Sequence, residues 1–388
     1  MMKHSLTLCA VLFSLFPSFA NAQEAKEARP WLVTLSANHG VWESSDTGGK
    51  GNQTVGLAQA AYETSNWGGA VTGNFAKTSY RINSAQSGNL DISTLTDTNV
   101  GGHYNFKWDN YSLRAGLDLN LPTGKRGYTT SQMTKLIVDD INQDLMLVNT
   151  YGTGLNVGPY FLAAMQSDSL SVGAGAKYTF MGEYDPAPDT DGDNFDPGDR
   201  LMLMLNGMAK VREGDFVILT LIYNTFGKDK SAGQDTFRSG DIFSVEARYV
   251  AKWEENFDTA IGALMSIQGK NESLSDGGSL KPETGNSNSN SFQIFVNNVY
   301  RYSDEFTFTG VAGYRQVAAN GYSAGEGLYD AGRRKIYVEP GLAWHFTLDS
   351  FVTVKLRYSR VADKQDTFSP TDADYNVFNL DTAVVFGF

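Results

Sequence analysis

The stretch YNVFNLDTAVVFGF, residues 375–388, decides the fold. Its apolar residues Phe378, Leu380, Val384, Phe386 and Phe388 fall at even positions, with Asn379, Asp381 and Gly387 between them. That alternation is the period of a β-strand with one apolar face and one face that tolerates charge. The sequence stops on an aromatic residue inside the strand. As a sheet edge, such a strand would present unpaired backbone groups and invite aggregation. A closed barrel has no edge, because its last strand pairs with its first.

The other end of the chain reads as an export signal. Lys3 and His4 precede an apolar core from Leu6 to Phe16, and Ala20-Asn21-Ala22 forms a small-residue cleavage site before Gln23. Residues 1–22 are therefore expected to be a signal peptide, and Gln23 to Pro30 a short polar periplasmic lead-in. A strand ending at Phe388 behind such a leader resembles the outer-membrane β-barrel proteins of Gram-negative bacteria. The resemblance implies an outer-membrane location, lipid around the barrel, and Phe388 as the signal read by the barrel assembly machinery. It also implies that residues 31–388 form one barrel domain, with assembly into a homo-oligomer left open.

Composition agrees with an all-β transmembrane antiparallel β-barrel. The chain of 388 residues has 40 Gly, 19 Tyr, 23 Phe and 6 Trp, and only 19% charged residues. Mean hydropathy is −0.30. No run of 18 apolar residues follows the leader, which excludes helical spans. Barrels mask their membrane signal because lipid-facing and lumen-facing residues cancel along each strand. The one cysteine, Cys9, lies in the leader. Beyond it there is no disulfide, thiol nucleophile or Cys-x-x-Cys-His haem attachment. A net charge of −12 argues against nucleic acid as a partner.

From Trp31 onward one unit repeats: strand, long polar loop, strand, tight turn. The tight turns are WDNY (108–111), SDSL (167–170), EGDF (213–216), EENF (254–257), SDEF (303–306) and LDSF (348–351). After the first, Tyr111, Leu113, Ala115, Leu117, Leu119 and Leu121 alternate with Ser112, Arg114, Gly116, Asp118 and Asn120. The opposite connections are rich in Gly, Asp, Ser and Asn: 44–53, 122–150, 185–200, 227–240, 269–289, 320–332 and 362–374. Short periplasmic turns and long extracellular loops are the asymmetry of outer-membrane barrels. The count is about sixteen strands, with fourteen to eighteen open, because Gly, Ala and Thr blur 53–73 and 89–106. A barrel near this size leaves an aqueous lumen.

One loop differs. In the third extracellular loop, 122–150, the residues Met133, Leu136, Ile137, Ile141 and Leu145 follow helical spacing, with Asp139, Asp140 and Asp144 between them. Thr130 or Ser131 would cap the helix. In position and in its helical piece this loop resembles the third loop of general porins, which folds inward as a constriction. A helix lying on the rim is the alternative. The stretches LNLPTGK (119–125), YGTGLNVGPYF (151–161) and GAKYTFMGEYDP (175–186) also resemble FadL-like transporters of small apolar compounds. That family carries a long N-terminal plug, whereas strand one here begins almost at once.

With the apolar parity facing lipid, Arg114, Lys177, Lys210, Arg248, Lys252, Arg301, Arg315, Lys335, Lys355 and Arg357 face the lumen. So do the acids Asp118, Glu246, Asp258, Glu339 and Asp381. A charge at the lipid midplane would cost about 2–4 kcal/mol, which favours the inward assignment. A net basic wall would attract anions; the alternative is that Arg–Glu ladders brace the wall and cancel. In the 185–199 loop, Asp189, Asp191, Asp193 and Asp196 have the alternate spacing of a Ca²⁺ site, but not that of an EF-hand. No other cofactor is expected. His39, His103 and His345 lack a Ser or paired-acid motif beside them, so no enzyme is expected. The expected function is a channel for small solutes. A barrel sheath around a partner such as a multihaem cytochrome, or FadL-like uptake of small apolar compounds, is the alternative.

Overall fold

A computed structural model describes residues 30–45, 50–81, 89–125, 153–185, 194–364 and 372–388. The first eleven strands are β1 Trp31–Ser44, β2 Lys50–Glu63, β3 Trp67–Arg81, β4 Asn89–Leu95, β5 Thr98–Trp108, β6 Tyr111–Leu121, β7 Asn156–Gln166, β8 Leu170–Thr179, β9 Phe195–Asp196, β10 Arg200–Arg212 and β11 Asp215–Phe226. The rest are β12 Asp229–Ser231, β13 Gln234–Arg238, β14 Ile242–Glu254, β15 Phe257–Gln268, β16 Glu272–Leu274, β17 Leu280–Pro282, β18 Ser291–Arg301, β19 Phe306–Val317, β20 Arg333–Thr347, β21 Ser350–Asp363 and β22 Ala373–Gly387.

Seventeen of these make one antiparallel sheet. Both β4 and β5 pair with β3, the first at residues 75–81 and the second at 67–72. They are one barrel strand broken at Thr96-Asp97, so the barrel has sixteen strands. The blurred region near residue 95 is this break. The barrel closes as the terminal stretch requires: β22 pairs with β1 from Leu32↔Gly387 to Ser44↔Tyr375. Beyond that register, Trp31 and Phe388 each donate a backbone hydrogen bond of 3.1 Å to the other's carbonyl.

The alternation sorts side chains by face. Outward go Phe161, Ile261, Leu356 and Phe378, each more than half exposed, in an apolar outer belt. At the rim of the tight turns, Trp67, Trp108, Tyr111, Trp253 and Tyr302 stand out as a girdle. Polar markers bound the belt. The outward Tyr178, Tyr223 and Tyr358 hydroxyls donate to Asp199, Asp241 and Asn376 at 2.8, 2.6 and 2.8 Å. Each acceptor lies two residues along the neighbouring strand from the tyrosine's cross-strand partner. Tyr249 bonds Asp215 by the same rule at the opposite rim. On β11, Asp215 and Tyr223 mark the two boundaries, eight residues apart. That is about 26 Å along the strand, or about 20 Å along an axis tilted by about 40°, near the height of a barrel's apolar band.

Glycines shape the inner face. A Cβ on Gly116 would lie 2.2 Å from the Tyr160 ring, and one on Gly313 2.4 Å from that of Tyr337. Gly51 under Trp42, Gly101 under Asp118 and Gly262 under Phe295 repeat the arrangement. In all five cases the glycine is the direct cross-strand partner of the large residue. Each large inner side chain thus lies flat on its neighbour's bare backbone instead of reaching into the lumen.

The extracellular connections depart from the expectation. Residues 44–53 are not a long loop, because β1 and β2 extend until Glu43 pairs with Lys50. The segments 185–200, 227–240 and 269–289 are not irregular throughout: they contribute β9, β12, β13, β16 and β17, which pair into a second sheet. Lys230–Asp196 (3.3 Å), Lys228–Asp235 (2.7 Å) and Arg238–Glu272 (3.6 Å) lace it together. Where barrel gives way to these segments, glycine N–H groups donate to side-chain oxygens next door: Gly182 to Asn156, Gly198 to Asp229 and Gly240 to Asn271, at 2.7–2.9 Å. The expected helix, with Met133, Leu136, Ile137, Asp139, Asp140, Ile141, Asp144 and Leu145, lies outside the described residues.

Candidate functional site

The site is the inner wall, and its charges are mostly paired. Arg114, on β6, reaches Glu63 at 3.3 Å and donates to Asn105 at 2.7 Å; His103 meets the same Glu63 carboxylate at 3.1 Å. Lys177 pairs with Asp118 at 2.5 Å, Arg301 with Asp258 at 2.6 Å and Arg357 with Glu339 at 2.7 Å. Arg248 contacts Glu246 on its own strand. Two of these guanidiniums also stand over rings, Arg248 over Phe295 at 5.5 Å and Arg357 over Tyr337 at 4.7 Å. Lys355 lies directly across from Asp381. Lys335 is buried. Lys210 and Lys252 sit near the tight turns of their strands, and Lys252 is exposed. Of the five arginines assigned inward from sequence, Arg315 alone makes no hydrogen bond or ion pair with the described residues.

Sequence reasoning missed Glu63, which ends a strand of Gly, Ala and Gln where parity is weak. It also missed Asp97 at the β4/β5 break. This carboxylate is fully buried. It accepts from the Gly124 N–H at 2.8 Å, the Thr153 N–H and hydroxyl at 3.0 Å each, and the Asn120 amide at 2.9 Å. Both ends of the third extracellular loop are therefore tied to one side chain. An acid followed by a strand start was the only signal available.

The inner face is not uniformly polar. Met202, Met204 and Ile222 form a buried cluster with Leu162, and Trp42, Val361 and Val377 form another with Tyr375. As for metal, Asp196 is ion-paired with Lys230, and no group of three acidic or His residues gathers among the described residues. Asp189, Asp191 and Asp193 lie outside them. His39 faces outward and bonds the Thr54 hydroxyl at 2.8 Å. His345 packs on the Phe351 ring near a tight turn.

No protein-family model and no curated protein sequence matches the chain. Solved structures do. A bacterial polysaccharide outer membrane secretin is similar at 10% identity and a TM-score of 0.48, over 93% of this chain and 99% of that one. The toluene transporter TodX of Pseudomonas putida is similar at 11% identity and 0.43, over 92% and 90%. OmpT of Vibrio cholerae, expressed in the outer membrane, is similar at 11% and 0.42, over 94% and 100%. The likeness is one of barrel architecture.

Proposed function

We propose that this chain is an outer-membrane channel through which small solutes cross. One observation carries the reading. The large inner side chains lie flat over cross-strand glycines, which keeps a sixteen-stranded lumen clear of its own wall. An apolar belt of about membrane height surrounds it, which suits a lipid bilayer. Charge on the wall is arranged to brace more than to select: each acid in a salt-bridged pair cancels a base locally. The excess of basic residues leaves a weak attraction for anions.

Uptake of small apolar compounds is the second reading. The inner Met202, Met204, Ile222 and Leu162 cluster favours it, because it makes one part of the inner wall apolar. Planar-bilayer recording of the purified full-length barrel in a potassium chloride gradient tests the main reading. Discrete steps in conductance with a reversal potential slightly on the anion side are expected. A folded barrel that stays closed contradicts it and points to a sheath that needs its partner.

A further inference from the structure

We propose that Arg315, beside Gln293, forms a subsite for the carboxylate of a small organic acid near the external end of the lumen. This rests on the channel reading and names a solute class for it. Arg315 lies on the inner face of β19, two residues before its external end. The face is fixed by its neighbours: Gly313 carries the Tyr337 ring inside, while Ala312 and Tyr314 line an outer groove. Gln293 on β18 and Lys335 on β20 are its direct cross-strand partners.

The surroundings leave the guanidinium uncompensated. Like charges directly opposite on a sheet disfavour each other, and Arg315, which sits opposite Lys335, makes no ion pair of its own with the described residues. The Arg357–Glu339 pair lies two inner rows deeper, about 13 Å along the strand. A solute entering from outside passes the Arg333–Asp363 pair at the mouth, then meets Arg315 before it meets the Arg357–Glu339 pair.

Gln293 is held for a second contact. Its Nε2 donates to the Tyr337 hydroxyl at 2.8 Å, and that ring is itself clamped between Gly313 and Arg357. The amide is thereby oriented, with its second N–H still to donate. A fixed amide next to a planar five-donor fork matches the two oxygens of a carboxylate. A phosphate dianion would call for a second free cation, and Lys335 is buried.

The test is block of the potassium chloride current by sodium benzoate added from the external side. Arg315→Gln should raise the half-blocking concentration about tenfold, as expected for loss of a charge-assisted bond. Gln293→Leu should raise it by a smaller factor, and Lys281→Gln, on the external sheet, should leave it unchanged. Benzyl alcohol, the uncharged counterpart, should not block. Equal block in wild type and Arg315→Gln overturns the proposal, as does equal block by benzyl alcohol or by inorganic phosphate. If the wild-type barrel shows no current, the channel reading fails by itself. Calorimetric titration of benzoate into the same detergent-solubilised barrels then decides the subsite: weaker binding to Arg315→Gln supports it, and equal or absent binding overturns it.

Discussion

At Gly116 the wall has no room for a β-carbon, and this makes the residue a probe of the lumen. Gly116→Leu must push the Tyr160 ring off the wall and inward. Overpacking of this kind costs about 1–3 kcal/mol, which a barrel of this size tolerates. A folded variant with reduced single-channel conductance is expected; unchanged conductance would mean that Tyr160 does not border the path. Asp97 is the opposite case. Asp97→Ala leaves four donors around a buried site without their acceptor, so a loss of about 3 kcal/mol or more is expected in the urea-unfolding midpoint. Asp97→Asn should recover part of it. Residues of these two kinds differ in legibility. The inward placement of Arg114 or Arg357 follows from strand parity, but Asp97 sits in a break where parity is interrupted. Its role depends on Gly124 and Thr153, which only the fold brings beside it.

Elements show the same division. Most of the sixteen barrel strands are readable because their side chains alternate between an apolar and a polar face, whereas Gly, Ala and Thr blur β2, β4 and β5. Strands β9, β12, β13, β16 and β17 are two to five residues long and mostly polar or charged. Such segments have little strand preference of their own, and form because neighbouring segments rise side by side from paired barrel strands. The last strand carries a test of its own. Removing Phe388 deletes both backbone bonds to Trp31 and one aromatic of the girdle. A several-fold drop in the heat-modifiable, folded fraction is expected in whole-cell membranes. Normal insertion of the truncated chain would remove Phe388 as an assembly signal.

For the whole molecule, selectivity and stability should separate by arginine. Arg315→Ser removes an unpaired charge and should move the reversal potential toward cations with little change in stability. Arg357→Ser strands the nearly buried Glu339 and should cost about 3 kcal/mol. If both variants moved the potential alike without destabilisation, the pairing would have no energetic weight. The seam between β1 and β22 also fixes an order of events in folding. Most strands find their partner across a turn or a single loop, but Ala37 and Thr382 meet from 345 residues apart. Closing that contact draws on the chain entropy of nearly the whole protein, so the seam should be the last pairing to form and the first to part. An open, two-edged sheet is the intermediate this implies, and it is the species most prone to join a second copy. Ala37→Cys with Thr382→Cys would seal the seam covalently, in a chain whose one native cysteine is Cys9. Oxidised, that barrel should resist heat unfolding in detergent; reduced, it should open at the wild-type temperature.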